Sequence, residues 1–418
     1  MCSQDLLTSD RKTRGEGKRT QNHFSWARNE LKIIHTADNH IGEAQYGRID
    51  SATGLNARSL DFLNSFKRIT KITIEQKADI LLIAGDFFTK VNPHPRYIYE
   101  VIKALKEVSN AGIKSIIIGG NHEAPRLSST LNPLKLLEHI DDVHVVLEPR
   151  TISIDHIDFV CVPAPSNFDE IASLFNSMLN EAISSSNNET RVLVSHLPLS
   201  QSITSSERTM ESFMGESVDV RQIPDKFAYM ALGHIHKFQQ IQFGTHPIYY
   251  PGSSERHDWS EEGEAKYVAS VEISGSEVGI TPIELQVRNM RTLIDSDCRG
   301  LSGSKITELV LSTVGGEKSS LADTLVRIKL ENVDFNESRR IKLDEIKTAL
   351  SDCGVFDLKF QPRTITSLSP SGQAKGEYVF PPSKEVELYI ASREEYSGIT
   401  EELMKLGQEI IKEAREQA

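Results

Sequence analysis

Cysteine is scarce in this chain, and its four copies have no partner spacing: Cys2, Cys161, Cys298 and Cys353 are scattered, with no C-x-x-C pair. A disulfide framework and a thiolate metal site are thereby excluded, and a reducing, cytoplasmic compartment is expected. Long apolar runs are also missing. Residues 80–84 form one of the longest, far short of the ~20 needed to cross a bilayer, so no membrane segment is expected. The first thirty residues are polar and partly basic and lack the apolar stretch of a secretory leader, so 1–30 read as a disordered extension. Positive charge is in deficit, with 47 Lys and Arg against 59 Asp and Glu and a net charge of -12. Broad attraction to polyanions is excluded on that balance, and any such binding must rest on local cation clusters or on bound metals. No internal repeat is visible.

What is present is a chain of 418 residues, too long for one compact domain. Short β-branched runs at 32–35, 80–84, 115–118, 159–162, 192–195 and 229–232 predict buried strands, each followed by small or polar residues. Between the early runs, 59–77 and 96–111 carry apolar residues at helical spacing, as in Leu60, Leu63, Ile69 and Ile72. Strands alternating with helices imply a layered α/β domain over 31–290, with sheets inside and helices outside. Residues 291–361 read as a small α+β unit, in which Arg327 and Lys329 alternate with apolar neighbours and Arg339 and Arg340 lie close by. Those cations could face a phosphate backbone or simply a solvated sheet face. Residues 362–393, rich in Ser, Pro and Gly, read as a linker. In 394–418 the stripe Ile399, Leu403, Leu406, Ile410 and Ala414 predicts a helix that either docks on a partner or folds back on its own domain.

Five short motifs sit at the carboxyl ends of these strands, where open α/β sheets place their ligand sites. Asp38-Asn39-His40 sets a carboxylate and an imidazole two apart on an extended loop, able to point at one ion. In Gly85-Asp86 the glycine permits a tight turn, and the carboxylate can bridge two metals through separate oxygens. Gly120-Asn121-His122-Glu123 offers a neutral amide oxygen, with His122 beside it and free to touch substrate. Ser195-His196 and Gly233-His234-Ile235-His236 complete the series. Each motif alone is weak, and a lone strand-end histidine is usually structural. Together they supply two Asp, one Asn and four His in mixed N/O sets suited to divalent transition ions.

The order D-x-H, G-D, G-N-H-E, H and G-H-x-H resembles the calcineurin-like metallophosphoesterase superfamily. Residues 34–42 and the stretch Tyr250-Pro251-Gly252-Ser253-Ser254-Glu255-Arg256 with Trp259 are similar to the archaeal meiotic-recombination-eleven and SbcD nucleases of double-strand-break repair. The resemblance implies a four-layer β-sandwich flanked by helices, a small capping domain and a C-terminal helix. It also implies one metal held by Asp38, His40, Asp86 and His236 and a second by Asp86, Asn121, His196 and His234, with Asp86 as the bridge. His122 would be catalytic, stabilising or protonating the leaving oxygen. Two divalent ions, Mn2+ first among them, would support phosphodiester hydrolysis by a metal-bridging hydroxide, as a 3′–5′ exonuclease and single-strand endonuclease on DNA. Further implied are a coiled-coil ABC-type ATPase partner of the Rad-fifty/SbcC family and a homodimer through Tyr97, Ile98, Val101 and residues 134–137.

Two departures from the family pattern stand out. Thr89 occupies a place where many archaeal relatives carry a second histidine that handles the substrate phosphate, and Glu123 replaces their aspartate. Arg58, Lys90, Arg126 and Arg256 lie near the motifs as candidate phosphate contacts or ordinary surface charges. Two rival readings remain: a metallophosphoesterase of another substrate class, and a non-catalytic scaffold for the ATPase. A phosphoprotein phosphatase is disfavoured, because residues 85–91 lack the Asp-Arg-Gly of its G-D-x-x-D-R-G box.

Overall fold

A computed structural model describes residues 30–125, 127, 129–206, 217–244, 246–275 and 277–365, with Leu403, Leu406 and Gly407. The extension expected over 1–30 falls outside them except for Glu30, as do Arg126 and nearly all of the expected linker and C-terminal helix.

Two six-stranded sheets pack face to face. In the first the order is β12 (Glu277–Leu285), β11 (Lys266–Ser274), β1 (Glu30–Thr36), β2 (Ile80–Ala84), β3 (Lys114–Ile118) and β4 (Val143–Val146). The second runs β5 (Arg150–Ile154), β6 (Ile157–Val162), β7 (Thr190–His196), β8 (Tyr229–Gly233), β10 (His246–Tyr250) and β9 (Gln239–Phe243). Strands β1 to β4 are mutually parallel, and so are β6, β7, β8 and β10. Parallel strands inside a layered domain are covered on both faces, which is why β2 reads ILLIA and is buried throughout.

Alternate residues of each strand enter different cores. Ile33, Ile80, Leu82 and Ile116 meet Phe159, Val192 and Tyr229 between the sheets. Ile34, Leu81, Ile83 and Ile117 face outward onto helices α1 (Ala57–Glu75) and α2 (Pro95–Asn110). Val160, Leu193 and Met230 face the other way onto α3 (Ile171–Ile183). The outcome is helix, sheet, sheet, helix. Helix α1 begins where the Asn56 side chain accepts from the backbone N–H of Arg58 and Ser59, at 3.0 and 3.1 Å. Among the described residues, no helix is long and apolar enough to cross a membrane.

A third, three-stranded parallel sheet forms the small unit: β13 (Met290–Asp297), β14 (Leu325–Asp334) and β15 (Asp357–Ile365). Helices α4 (Gly303–Glu317), α5 (Phe335–Ser338) and α6 (Leu343–Asp352) connect these strands, and Ile306, Val310, Ile328, Leu330 and Ile346 make its own core. Strand β15 continues past the boundary expected at 361. A separate apolar cluster of Ala57, Trp259, Met290, Leu325 and Phe356 seats this unit on the larger domain. Arg288 reinforces the seat, pairing with Asp61 at 2.6 Å and lying 3.6 Å from the centre of the Phe356 ring.

The cations weighed as phosphate contacts in this unit have protein partners instead. Arg327 pairs with Glu262 at 2.9 Å and lies over Trp259, Lys329 pairs with Asp295, and Arg340 with Glu337. Arg339 stacks on Phe335. The expected dimer residues are mostly internal: Tyr97, Val101, Leu134 and Leu137 are buried in the core under α2, with Ile98 packed against it, while Leu136 is exposed.

Candidate metal centre

All five motifs converge at one edge of the paired sheets, because β1, β2, β3, β7 and β8 end there. The turns that follow are sharp. Asp38, His40, Asp86 and His234 take positive φ of 50°, 43°, 48° and 92°, conformations that L residues adopt at a cost of order 1–3 kcal/mol and that cluster at functional sites. Gly85 (φ +88°) makes the turn into Asp86 possible, and a Cβ there would fall 2.3 Å from His196 Nδ1. At Gly120 a Cβ would fall 2.1 Å from the Asp86 backbone nitrogen. The close approach of loops therefore requires glycine at both positions.

The eight residues singled out from the sequence lie side by side. Candidate ligand atoms of Asp38, His40 and His236 are within 4.8 Å of one another, and the same holds for Asp86, His196 and His234 and for His40, Asp86 and His122. Asn121 Oδ1 stands 3.0 Å from His196 Nε2 and 3.3 Å from His234 Nδ1. Asp86 Oδ2 is 3.3 Å from His196 Nε2 and 3.8 Å from His122 Nε2, between the two groups. His122 is the outlier in exposure: its side chain is 40% accessible, whereas those of Asp86 and His196 are buried.

Several outward-facing nitrogens are pinned. A backbone carbonyl can only accept, so His196 Nδ1 donates to Ala84 O at 2.9 Å, and His122 Nδ1 donates to Thr89 O at 3.2 Å. Each ring thus turns Nε2 toward Asp86. On the opposite side His236 Nδ1 is held 2.8 Å from Glu261 Oε1, leaving its Nε2 3.1 Å from His40 Nε2. Two imidazole nitrogens facing each other at that distance, beside buried carboxylates, match a cation's surroundings better than an internal hydrogen-bond network.

Electrostatics agree with that donor set. Burial and the facing histidines push His40 and His234 down, His234 to about 3, so both rings carry lone pairs as ligands must. Against burial, the charge and hydrogen bond of His196 together with His40 and His122 hold Asp86 well below the usual carboxylate range. Burial likewise opposes a charged His196, yet Asp86 and Asp38 bring that ring up to about 9. Asp38 moves up, through burial. The pocket thus draws positive charge to the position beside Asp86. The residues present fit a pair of divalent ions.

Residues 31–238 match the family model described as calcineurin-like phosphoesterase. The chain carries a calcineurin-like phosphoesterase domain. It is 29% identical over 276 residues to a DNA double-strand break repair protein Mre11 of Methanocaldococcus jannaschii, a match that covers 64% of this chain and 68% of the relative. It is also 29% identical over 280 residues to a subunit of nuclease SbcCD from Bacillus subtilis, covering 59% of this chain and 67% of the relative. With that domain, the protein is a hydrolase of phosphate esters.

Some neighbours of the centre differ from the sequence reading. Arg58 and Arg256 are neither phosphate contacts nor surface charges: both are buried, Arg58 pairs with Asp61 and Glu255, and Arg256 donates to the carbonyls of Glu264 and Arg288. Lys90 is exposed. Thr89 has a use unrelated to a second histidine, since its carbonyl orients His122 and its hydroxyl donates to Glu43. Glu123 lies inside, accepting from Gly120 N at 3.0 Å and Phe87 N at 3.4 Å, which ties the second motif loop to the third.

Sequence reasoning passed over Glu261, Lys266, His257 and Glu43. Glu261 and Lys266 form a buried pair at 2.5 Å. The His257 ring lies 4.9 Å from that of His40 and 3.6 Å from a Glu43 oxygen. Glu261 stands in a run with Glu262 and Glu264, and no periodicity distinguishes the buried member from its half-buried neighbours.

Proposed function

We propose that this phosphoesterase is a nuclease that hydrolyses DNA phosphodiesters in double-strand-break repair. The convergence of Asp38, His40, Asp86, Asn121, His196, His234 and His236 on one pocket carries the reading, and kinship with a break-repair protein and a nuclease subunit supplies the substrate class. Asp38, His40, Asp86 and His236 would hold one divalent ion and Asp86, Asn121, His196 and His234 the other, with Asp86 shared. Such ions, Mn2+ first among N/O-ligated candidates, withdraw charge from the phosphate and make water a nucleophile near neutral pH.

The remaining chemistry falls to side chains. His122, the accessible member, keeps Nδ1 engaged with Thr89 O and presents Nε2 to substrate, where it shares or delivers a proton to the leaving oxygen. Its backbone N–H holds Asp86 Oδ1 at 2.9 Å, so the shared carboxylate and the acid stay in register. The backbone N–H of His234 does the same for Asp38, at 3.1 and 2.9 Å from its two oxygens.

This reading includes 3′–5′ exonuclease and single-strand endonuclease action, a coiled-coil ATPase partner docked by residues 394–418, a homodimer and a cytoplasmic setting. The free state of Cys161, Cys298 and Cys353 supports the last of these. The test is Mn2+-dependent degradation of 3′-labelled and 5′-labelled duplexes by wild type and His122→Ala, with a phosphopeptide and a cyclic nucleotide as controls. Cleavage of DNA alone, and only by wild type, is expected; hydrolysis of the controls alone would overturn the substrate assignment.

A further inference from the structure

Glu261 is 1% exposed and holds the metal-side ring of His236 through Nδ1, as described above. Its other oxygen accepts from Ser253 Oγ and from the backbone N–H of His257, both at 3.1 Å, and meets Lys266 Nζ at 2.5 Å. Lys266, also 1% exposed, donates onward to the backbone carbonyl of His236 at 3.2 Å. The pair therefore grips His236 by side chain and main chain together. A buried ion pair is a poor source of stability, since an apolar replacement of like shape often does as well or better. Its value here lies in where it holds the histidine.

The residue next in sequence faces the other way. Glu262 Oε2 accepts from Arg327 at 2.9 Å and from the Thr292 hydroxyl at 2.5 Å, and its Oε1 accepts from Thr292 N. Both partners belong to the small C-terminal unit. Trp259, three residues earlier, lies under the Arg327 guanidinium at 4.6 Å and packs with Met290, Leu325 and Phe356 of that unit. The same segment is stiffened at its start by Asp258, whose side chain accepts from Ser260 N at 2.6 Å and from Ser260 Oγ at 2.5 Å. One peptide bond thus separates the group that orients His236 from the group that seats the small unit.

We propose that residues 258–266 form a strap coupling the seat of the small C-terminal unit to the His40–His236 half of the metal centre, with Glu261 as the positioning residue. The inference rests on the metal assignment made under Proposed function. A tilt of the small unit moves Glu262 and Trp259, and through them the His236 ring and the ion it holds. In the other half His196 is fixed instead by the carbonyl of Ala84 inside a strand.

Equilibrium dialysis of the full chain with Mn2+, read alongside 15N-histidine NMR of the metal-free protein, tests this. Wild type is expected to take up two ions. Glu261→Gln should weaken one of them about 10- to 100-fold, the range for an outer-shell partner, and leave the second unchanged, which also reports an intact fold. Glu262→Ala and Arg327→Gln, on the seam between the units, should weaken that same ion by about threefold or more and shift the His236 resonances, assigned from a His236→Asn sample. Uptake of no ion by wild type would sink the metal assignment and the inference with it. Two ions in wild type, with unchanged affinities and His236 resonances in both seam variants, would overturn the coupling even if Glu261→Gln proved unable to fold.

Discussion

The two halves of the candidate metal centre are built from similar side chains and held by different means. On one side His196 is anchored to a backbone carbonyl of β2, and Asn121 and His234 follow tight turns whose glycines admit no substitute. On the other, His236 depends on the Glu261 carboxylate, and that carboxylate depends on Lys266 and on a segment shared with the small C-terminal unit. Main-chain anchoring makes the first half a property of the sheet. Side-chain anchoring makes the second adjustable, and exposes it to events elsewhere in the molecule.

The strongest way to break this contrast is to remove what the halves share. Asp86→Ala should reduce cleavage of every substrate beyond about 10³-fold, since both proposed ion sites lose a ligand; activity within tenfold of wild type would end the two-metal reading. Next in size is His122→Ala, expected to lose about 10²- to 10⁴-fold in turnover while taking up Mn2+ as wild type does. Lost uptake would mean that His122 is a ligand.

A pH experiment sharpens the picture of the first half. Burial, with the Asp86 charge behind it, pushes Glu123 from its ordinary 4.5 up to about 8. A carboxyl raised on folding binds its proton more tightly in the native state, so its contribution is present below pH 4.5 and is lost as pH climbs toward 8. Glutamine can still accept from Gly120 and Phe87 but cannot ionise. In metal-free protein, thermal melts of Glu123→Gln should therefore gain on wild type as pH rises through that window, and a constant difference between the two would refute the assignment. The smallest effect is expected at the seam: Arg288→Ala removes the bidentate contact to Asp61 and the stack on Phe356, and should cost about 2 kcal/mol in urea unfolding.

Much of the site was legible because its chemistry is local. D-x-H, G-D, G-N-H and G-H-x-H each place donors within a few residues of a strand end, and buried strands such as residues 80–84 announce themselves by unbroken apolar runs. Contacts between distant segments were not legible. Arg58 looked like a candidate for phosphate and is buried against Glu255, 197 residues away. Arg327 alternated with apolar residues as an exposed cation would, and is instead spent on Glu262 and Trp259. Tyr97 and Val101 suited a dimer face equally well and lie in their own core.

By itself, then, the sequence determined the kind of layers, the strand ends at which chemistry collects, and the identity of the groups that could hold ions, because periodicity and motif spacing act over a handful of residues. Only the tertiary structure decided which nitrogen of each histidine faces inward, which of three neighbouring glutamates is buried, and how the small unit reaches the centre. Those are set by pairings between segments remote in the chain, and the free energy of such a pairing depends on burial and approach distance, quantities that exist only once the sheets have packed.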